Sequence, residues 1–281
     1  MTDNATPTKM SFGYDELSDI PVGSLILLAH SQPNPRDTLL TSLAFGATHR
    51  DFPVTWLTLT ESPEVVIERL AGHARKTMSQ WAREQAQEAV PDPEHPDWDN
   101  KDPDGAKKAR LAYDALCKEG DAKRKKKAES IYGKLSKEWM EEAIFKALKP
   151  ADRRIDRISE SETLYEGSLL CIDNIYALNR PDNKPPTQKS CGEFARHLKE
   201  LAVDHGLVVV AGMPAPARTE AKKTHSGRKY ETPVPTTLAD LAAYGAPNDS
   251  ADIVIAFTES AQLGNTPPSW HWEAIQNRYL K

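Results

Sequence analysis

The sequence predicts an α/β protein, a mostly parallel sheet with helices on both faces. Two observations carry that prediction. Four short apolar runs, SLILLA (24–29), VTWLTL (54–59), SLLCID (168–173) and LVVVAGM (207–213), with DIVIAF (252–257) as a fifth, are nearly continuous rather than alternating. That is how strands buried on both faces read. The segments between them carry helical spacing: Leu39, Leu40 and Leu43 after the first run, Val65, Val66 and Leu70 after the second, Phe194, Leu198 and Leu201 before the fourth. Strand and helix in alternation give a doubly wound domain.

Composition bounds what such a domain does. With 281 residues, 39% of them hydrophobic, the chain is long enough for one large domain or two small ones with a real core. A net charge of −5 and a pI of about 5.9 exclude a global basic field, so any contact with nucleic acid is local. Cys117, Cys171 and Cys191 lack metal-ligand spacing, and an odd count without a signal peptide suits a reducing cytoplasm, with the thiols inert. No apolar window approaches the roughly 18 residues that a membrane span needs. GxGxxG, GxSxG and carboxylate clusters are absent from the sequence, and His30, His49, His73, His197 and His205 are scattered singly. Hydride transfer, acyl transfer and nuclease chemistry therefore find no support.

Taken in order, the chain opens with a polar tail, residues 1–11, expected to be disordered. The first strand then runs through a short polar loop into an apolar helix: LILLAHSQPNPRDTLL, residues 25–40. A nucleotide-binding chain puts its phosphate loop here, yet this loop has neither glycine nor lysine. The second strand, its end at Thr60 and Glu61, and the next helix follow. Residues 73–150 break the rhythm. A Pro- and Asp-rich stretch, PDPEHPDWDNKDPDG (91–105), must be a loop, and the charged, Ala-rich segments around it place apolar residues four apart, as in Ile131, Leu135 and Trp139. A helical insertion within a single domain spanning 12–281 is expected. Its run AKRKKKA (122–128), flanked by Glu119, Asp121 and Glu129, reads as a solvated helix face or as a nucleic-acid or partner contact. After the fourth strand, residues 214–237 carry Arg218, Lys222, Lys223, Arg228 and Lys229 against only Glu220 and Glu231. That reads as a mobile basic loop at the carboxyl edge of the sheet, where α/β proteins place ligands, or as an ordinary solvent loop.

The order of these pieces resembles a known family. FGYDELSDIPVGSLILLA is similar to the approach to the phosphate loop in the RecA-fold ATPase domain of DnaB-type replicative helicases. VTWLTLTESPEVVIERLAG resembles that family's second strand, catalytic-glutamate segment and helix. SLLCIDNIYAL looks like its Walker B strand, and EFARHLKELAVDHGLVVVAG like the helix and strand leading to a glutamine sensor. LADLAAYGAPNDSADIVIAF is similar to the stretch after the DNA loop, and EAIQNRYLK to the closing strand that carries a lysine and an arginine finger. The resemblance covers residues 12–72 and 164–281, not the insertion. It implies a RecA-like P-loop NTPase fold.

Position by position, it also implies a degenerate site. A Walker A loop needs glycines that let consecutive N–H groups curl around phosphates, a lysine that reaches the β and γ oxygens, and a hydroxyl that holds magnesium. In an ungapped match the last glycine becomes Pro35, the lysine Arg36 and the hydroxyl residue Asp37, with Thr38 one place late. Pro33 and Pro35 remove two N–H donors and fix φ near −65°. Asp37 would cap the helix and repel a triphosphate by roughly 1 kcal/mol or more. The catalytic glutamate falls on Thr60 with Glu61 adjacent, the sensor glutamine on Pro214 and the closing-strand lysine on Gln276. Asp173 matches the Walker B aspartate on the magnesium side, and Arg278 the arginine finger.

The resemblance thus implies a DnaB-like protein without hydrolysis. It is expected to need no cofactor and to act by binding: to a replicative helicase, to its own copies as a ring, or to single-stranded DNA through residues 214–237. The alternative is an active helicase or NTPase that uses Mg-ATP with Arg36, Thr38, Glu61 and Asp173.

Overall fold

The computed structural model describes residues 9–30, 33–94, 103–150, 152–160, 164, 166–216, 218–223, 229–234, 236–259 and 270–279. The chain falls into two compact units, Met1–Leu70 with Ala143–Lys281, and Ala71–Glu142.

All five apolar runs become strands of one sheet in the first unit. These are β3 (Ser24–His30), β4 (Val54–Leu57), β6 (Leu169–Ile172), β7 (Val208–Pro214) and β10 (Ile253–Glu259). A short hairpin precedes them, β1 (Lys9–Met10) against β2 (Ile20–Pro21). Two more strands complete the sheet, β5 (Phe145–Leu148) and β11 (Trp270–Asn277), giving the order β11-β10-β3-β7-β6-β4-β5. Every neighbouring pair is parallel except β10 with β11. All seven residues of β3 and all four of β4 and of β6 are buried, so helices cover both faces, the reason these runs are continuous rather than alternating. Helix α1 (Pro33–Thr48) buries Leu39, Leu40, Leu43, Ala44 and Ala47, and α4 (Ser190–Asp204) buries Phe194, Ala195, Leu198, Leu201 and Ala202. Both repeat at the helical spacing visible in the sequence.

Three boundaries differ from the sequence expectation. Strand β5 lies inside the segment expected to be a helical insertion to residue 150. It pairs in parallel with β4, Val54 opposite Phe145 through Leu57 opposite Leu148, as the sheet's outer edge. Its four residues are broken by the exposed Lys146, too short a run to stand out from the charged helix before it. At the other end the expected tail of 1–11 gives way at Lys9, because Met10 pairs with Ile20 and is 1% exposed. Residues 1–8 lie outside the described residues. Finally, the basic stretch expected to be a loop contains an antiparallel ribbon, β8 (Arg218–Lys223) with β9 (Lys229–Val234), in register from Arg218 opposite Val234 to Lys223 opposite Lys229. Thr, Ala, Tyr and Val interspersed among the cations supply the β propensity. Arg228 lies outside the described residues.

The second unit is helical. Helix α2 (Pro63–Ala89) starts in the first unit, and from Ala71 onward it belongs to the second with α3 (Pro103–Glu142). Forty residues make α3 about 60 Å long. Ala74, Met78, Ala82 and Ala86 form a buried stripe on α2, spaced four apart. On α3 the half-buried positions Tyr113, Cys117, Gly120, Arg124, Ala128, Tyr132, Leu135 and Trp139 recur at three or four, and most of the remaining described positions are exposed. Such a helix is held by one seam and by i,i+4 pairs such as Lys123 with Glu119 (2.8 Å).

Candidate functional site

The site expected from the sequence lies at the carboxyl ends of β3, β4, β6 and β7. Strand β3 ends at His30 and α1 begins at Pro33, leaving a connection of two residues. A phosphate-cradling loop needs a longer run of free N–H groups between strand and helix. Here Pro33 and Pro35 occupy the first turn of the helix, so two of its four unpaired N–H positions have no hydrogen to offer.

Arg36 follows on that first turn and turns inward. It is 6% exposed, and burial holds its guanidinium below its ordinary pKa, opposed by the charges of Asp37 and Asp173. An Arg side chain stays protonated even so. Its Nε is buried without a hydrogen-bond partner among the described residues. Its Cδ approaches Gly212, where a Cβ would lie 3.7 Å away. Gly212 also lets the backbone of Asp173 come close: a Cβ there would stand 2.3 Å from the Asp173 carbonyl oxygen. A glycine is required where β7 passes the end of β6.

Asp173 is 2% exposed, and both oxygens of its carboxylate accept hydrogen bonds from the end of β4. Oδ1 and Oδ2 each accept from Leu59 N–H at 3.1 Å, and Oδ2 also accepts from Thr60 N–H at 3.1 Å and Thr60 Oγ1 at 2.9 Å. The sequence reads Thr60 as the lost catalytic glutamate; in the fold it is a donor that ties the end of β4 to the end of β6. Glu61 is likewise taken up, its two oxygens each 2.5 Å from Nη2 of Arg69, eight residues on in α2. Arg69 is the site residue that sequence reading missed, and only its place on the following helix hinted at it.

Asp37 completes the cluster. Burial pushes its carboxyl up to about 6; Arg36 and Arg69 pull it down, and Glu61 and Asp173 add to the rise. Thr38, by contrast, is exposed on the helix. The structure thus brings together Arg36, Asp37, Glu61, Arg69 and Asp173, three carboxylates and two guanidinium groups. It sets Pro214, the expected sensor position, opposite His30 at the end of β7.

The closing strand serves the chain's own backbone. Gln276 Nε2 donates to the carbonyls of Asn248 (3.0 Å) and Ala251 (2.7 Å), and Arg278 donates to the Asp249 carbonyl at 2.8 Å. The basic ribbon places Arg218, Lys222, Lys223 and Lys229 on β8 and β9, directly after β7.

For magnesium triphosphate, the ligand that the sequence resemblance implies, these residues are a poor match: Asp37 takes the place of the magnesium hydroxyl in the sequence match, Asp173 already accepts from Leu59 and Thr60, and two residues separate β3 from α1. Among the described residues no group of three or more His, Cys, Asp and Glu is arranged to hold a metal ion. No described helix is long and apolar enough to cross a membrane.

No family model and no curated protein matches the chain. Among solved structures, it is similar to a KaiC-like protein from the archaeon Pyrococcus horikoshii OT3, with a TM-score of 0.50 and 13% identity over 97% of this chain and 90% of that one. Slightly lower TM-scores relate it to a DnaB-like replicative helicase, described with its interactions with primase (0.49, 14% identity, 89% of this chain), and to the flagellar accessory protein FlaH from Methanocaldococcus jannaschii (0.49, 10% identity, 96% of this chain and 88% of that one). The chain spans 54% of that helicase's length. The fold is that of the RecA-like P-loop ATPases.

Proposed function

We propose that this chain is a catalytically degenerate DnaB-like protein, a RecA fold that acts by binding in DNA replication or a related DNA transaction rather than by hydrolysing ATP. The observation that carries this reading is Asp173. The carboxylate that would hold a magnesium shell accepts instead from Leu59 and Thr60, with Thr60 standing where the catalytic glutamate belongs. Removing a single charge-stabilising group from a phosphoryl-transfer site commonly costs about 10² to 10⁵ in rate. Here several are replaced together.

What remains is a set of surfaces. The ribbon β8–β9 follows β7 and offers several cations to single-stranded DNA, and the RecA-like sheet offers edges to a helicase partner or to further copies of the chain. The ordered resemblance of residues 12–72 and 164–281 to DnaB-type helicases makes a replicative helicase the first partner to try.

A magnesium-ATP titration of the purified chain, followed by calorimetry and thermal shift, tests the reading. The expected result is no saturable heat and no shift at millimolar Mg-ATP, since a ligand at about 100 times its dissociation constant adds roughly 2.7 kcal/mol to stability. Tight binding with turnover abolished by Asp173→Ala would overturn it.

A second reading draws on one observation, the buried Arg36 Nε without a partner, which suits an incoming anion. It is an active NTPase using Arg36, Thr38, Glu61 and Asp173 with Mg-ATP. Nucleotide-dependent stabilisation lost in Arg36→Ala would favour it.

A further inference from the structure

The sharpest segregation of charge outside that site lies on α3. Between Lys107 and Lys127, nine Lys and Arg stand against three Asp and Glu, a net +6 in a chain of net −5, so the other 260 residues carry −11. Local carboxylates take up two of the nine: Lys123 meets Glu119 at 2.8 Å, and Arg124 meets Asp92 and Asp121, each at 2.6 Å. Lys118, Lys125, Lys126 and Lys127 are exposed and make no ion pair among the described residues. A solvated helix face in an acidic protein would be laced with i,i+4 pairs, as the carboxyl end of α3 is, with Lys134 near Glu138 and Lys137 near Glu141. The basic segment instead concentrates like charge at the expense of self-repulsion.

Two features narrow the partner. Lys125, Lys126 and Lys127 succeed one another by about 100° around the helix within roughly 3 Å of rise, so they point to three sides. A flat acidic protein face reaches one of those sides, whereas a flexible polyanion wraps them. Beside them, between α2 and α3, lies a groove of about 480 Å³ lined by Arg83, Gln87, Lys125, Glu129 and Tyr132 among others. Arg83 is exposed and has no ion pair among the described residues. A groove of that size suits a nucleotide-sized unit and not a duplex. An aromatic side chain in a cationic groove is the arrangement that receives an unstacked base.

We propose that the helical unit is a binding element for single-stranded nucleic acid, with phosphates neutralised by Arg83, Lys118, Lys125, Lys126 and Lys127 and a base seated in the groove beside Tyr132. It is independent of the closed site in the first unit and of the β8–β9 ribbon. Five such contacts predict a slope of about −3.5 in log affinity against log salt.

The test uses the full chain and a fluorescein-labelled oligothymidylate about thirty nucleotides long, by anisotropy across about 50 to 300 mM NaCl. In the expected result, K125E/K126E/K127E lowers affinity at least about tenfold and flattens the salt slope, and Tyr132→Ala lowers affinity about fivefold or more. Lys222→Ala with Lys223→Ala, which probes the separate contact proposed for the ribbon, lowers affinity less than the α3 triple does. Circular dichroism checks helicity, and should the glutamate triple lose it, the glutamine triple at the same positions decides by the same criterion. The proposal is overturned by triple variants that keep their helices and bind like wild type, by loss of binding in the ribbon variant alone, by no binding at the lowest salt, or by equal or tighter binding of a duplex or of polyglutamate.

Discussion

The closed site at the end of the sheet and the long basic helix use the same residue types in opposite ways. At the site, Arg36 and Asp173 are buried and Asp37, Glu61 and Arg69 half-buried, with Glu61 paired to Arg69 and Asp173 accepting from the backbone. On α3, Lys118 and Lys125 to Lys127 are exposed and unpaired among the described residues. Buried charges that answer each other hold a structure and leave little for a ligand. Exposed like charges contribute nothing to the fold and remain available to a polyanion.

Stability measurements break or sharpen that contrast. The largest effect is expected from Asp173→Ala, which strands the N–H groups of Leu59 and Thr60 and the Thr60 hydroxyl in a buried setting. A loss of about 3 to 5 kcal/mol in urea unfolding follows. A value under about 1 kcal/mol would mean that the carboxylate is free for other work. Next is Gly212→Ala, whose Cβ would meet the Asp173 carbonyl at 2.3 Å. It is expected to cost about 2 to 3 kcal/mol by the same measurement.

Asp37→Asn acts in the other direction. The folded carboxyl, lifted to about 6 from 3.8, binds its proton more tightly than the unfolded one. Its contribution to stability is then full below about pH 4 and is lost as pH rises through 6. Wild-type stability should rise between pH 7 and pH 4 from this group, and Asp37→Asn should flatten that rise while adding about 1 to 2 kcal/mol at pH 7.5, part of the shift being screened at a half-buried position. Denaturation at several pH values reads both. The smallest effect is expected from K125E/K126E/K127E, within about 0.5 kcal/mol of wild type, because exposed positions away from a seam carry little stability.

Much of the fold was legible because its signals are local. Continuous apolar runs identify strands covered on both faces, and residues 24–29, 54–59, 168–173, 207–213 and 252–257 all proved to hold such strands. Strand β5 was not legible: four residues with an exposed Lys146 become a strand only by lying against β4. The ribbon β8–β9 was hidden for a related reason, since antiparallel pairing satisfies polar strands that periodicity reads as loop. At the site, most of the residues that come together could be named from their order in the chain. Their new partners could not. Nothing in the sequence says that Glu61 reaches Arg69, that Asp173 accepts from Thr60, or that Gln276 serves the carbonyls of Asn248 and Ala251.

The sequence by itself determined the α/β alternation, the prolines and Asp37 that follow the first strand, and the basic character of two segments. All three are properties of residue type and spacing along one chain. Only the tertiary structure decided that the connection from β3 to α1 is two residues long, that Asp173 accepts from Leu59 and Thr60, and that the cations of α3 stand beside a groove with Tyr132. Those are matters of which distant groups come within hydrogen-bonding or screening distance, and only the packed chain brings them there.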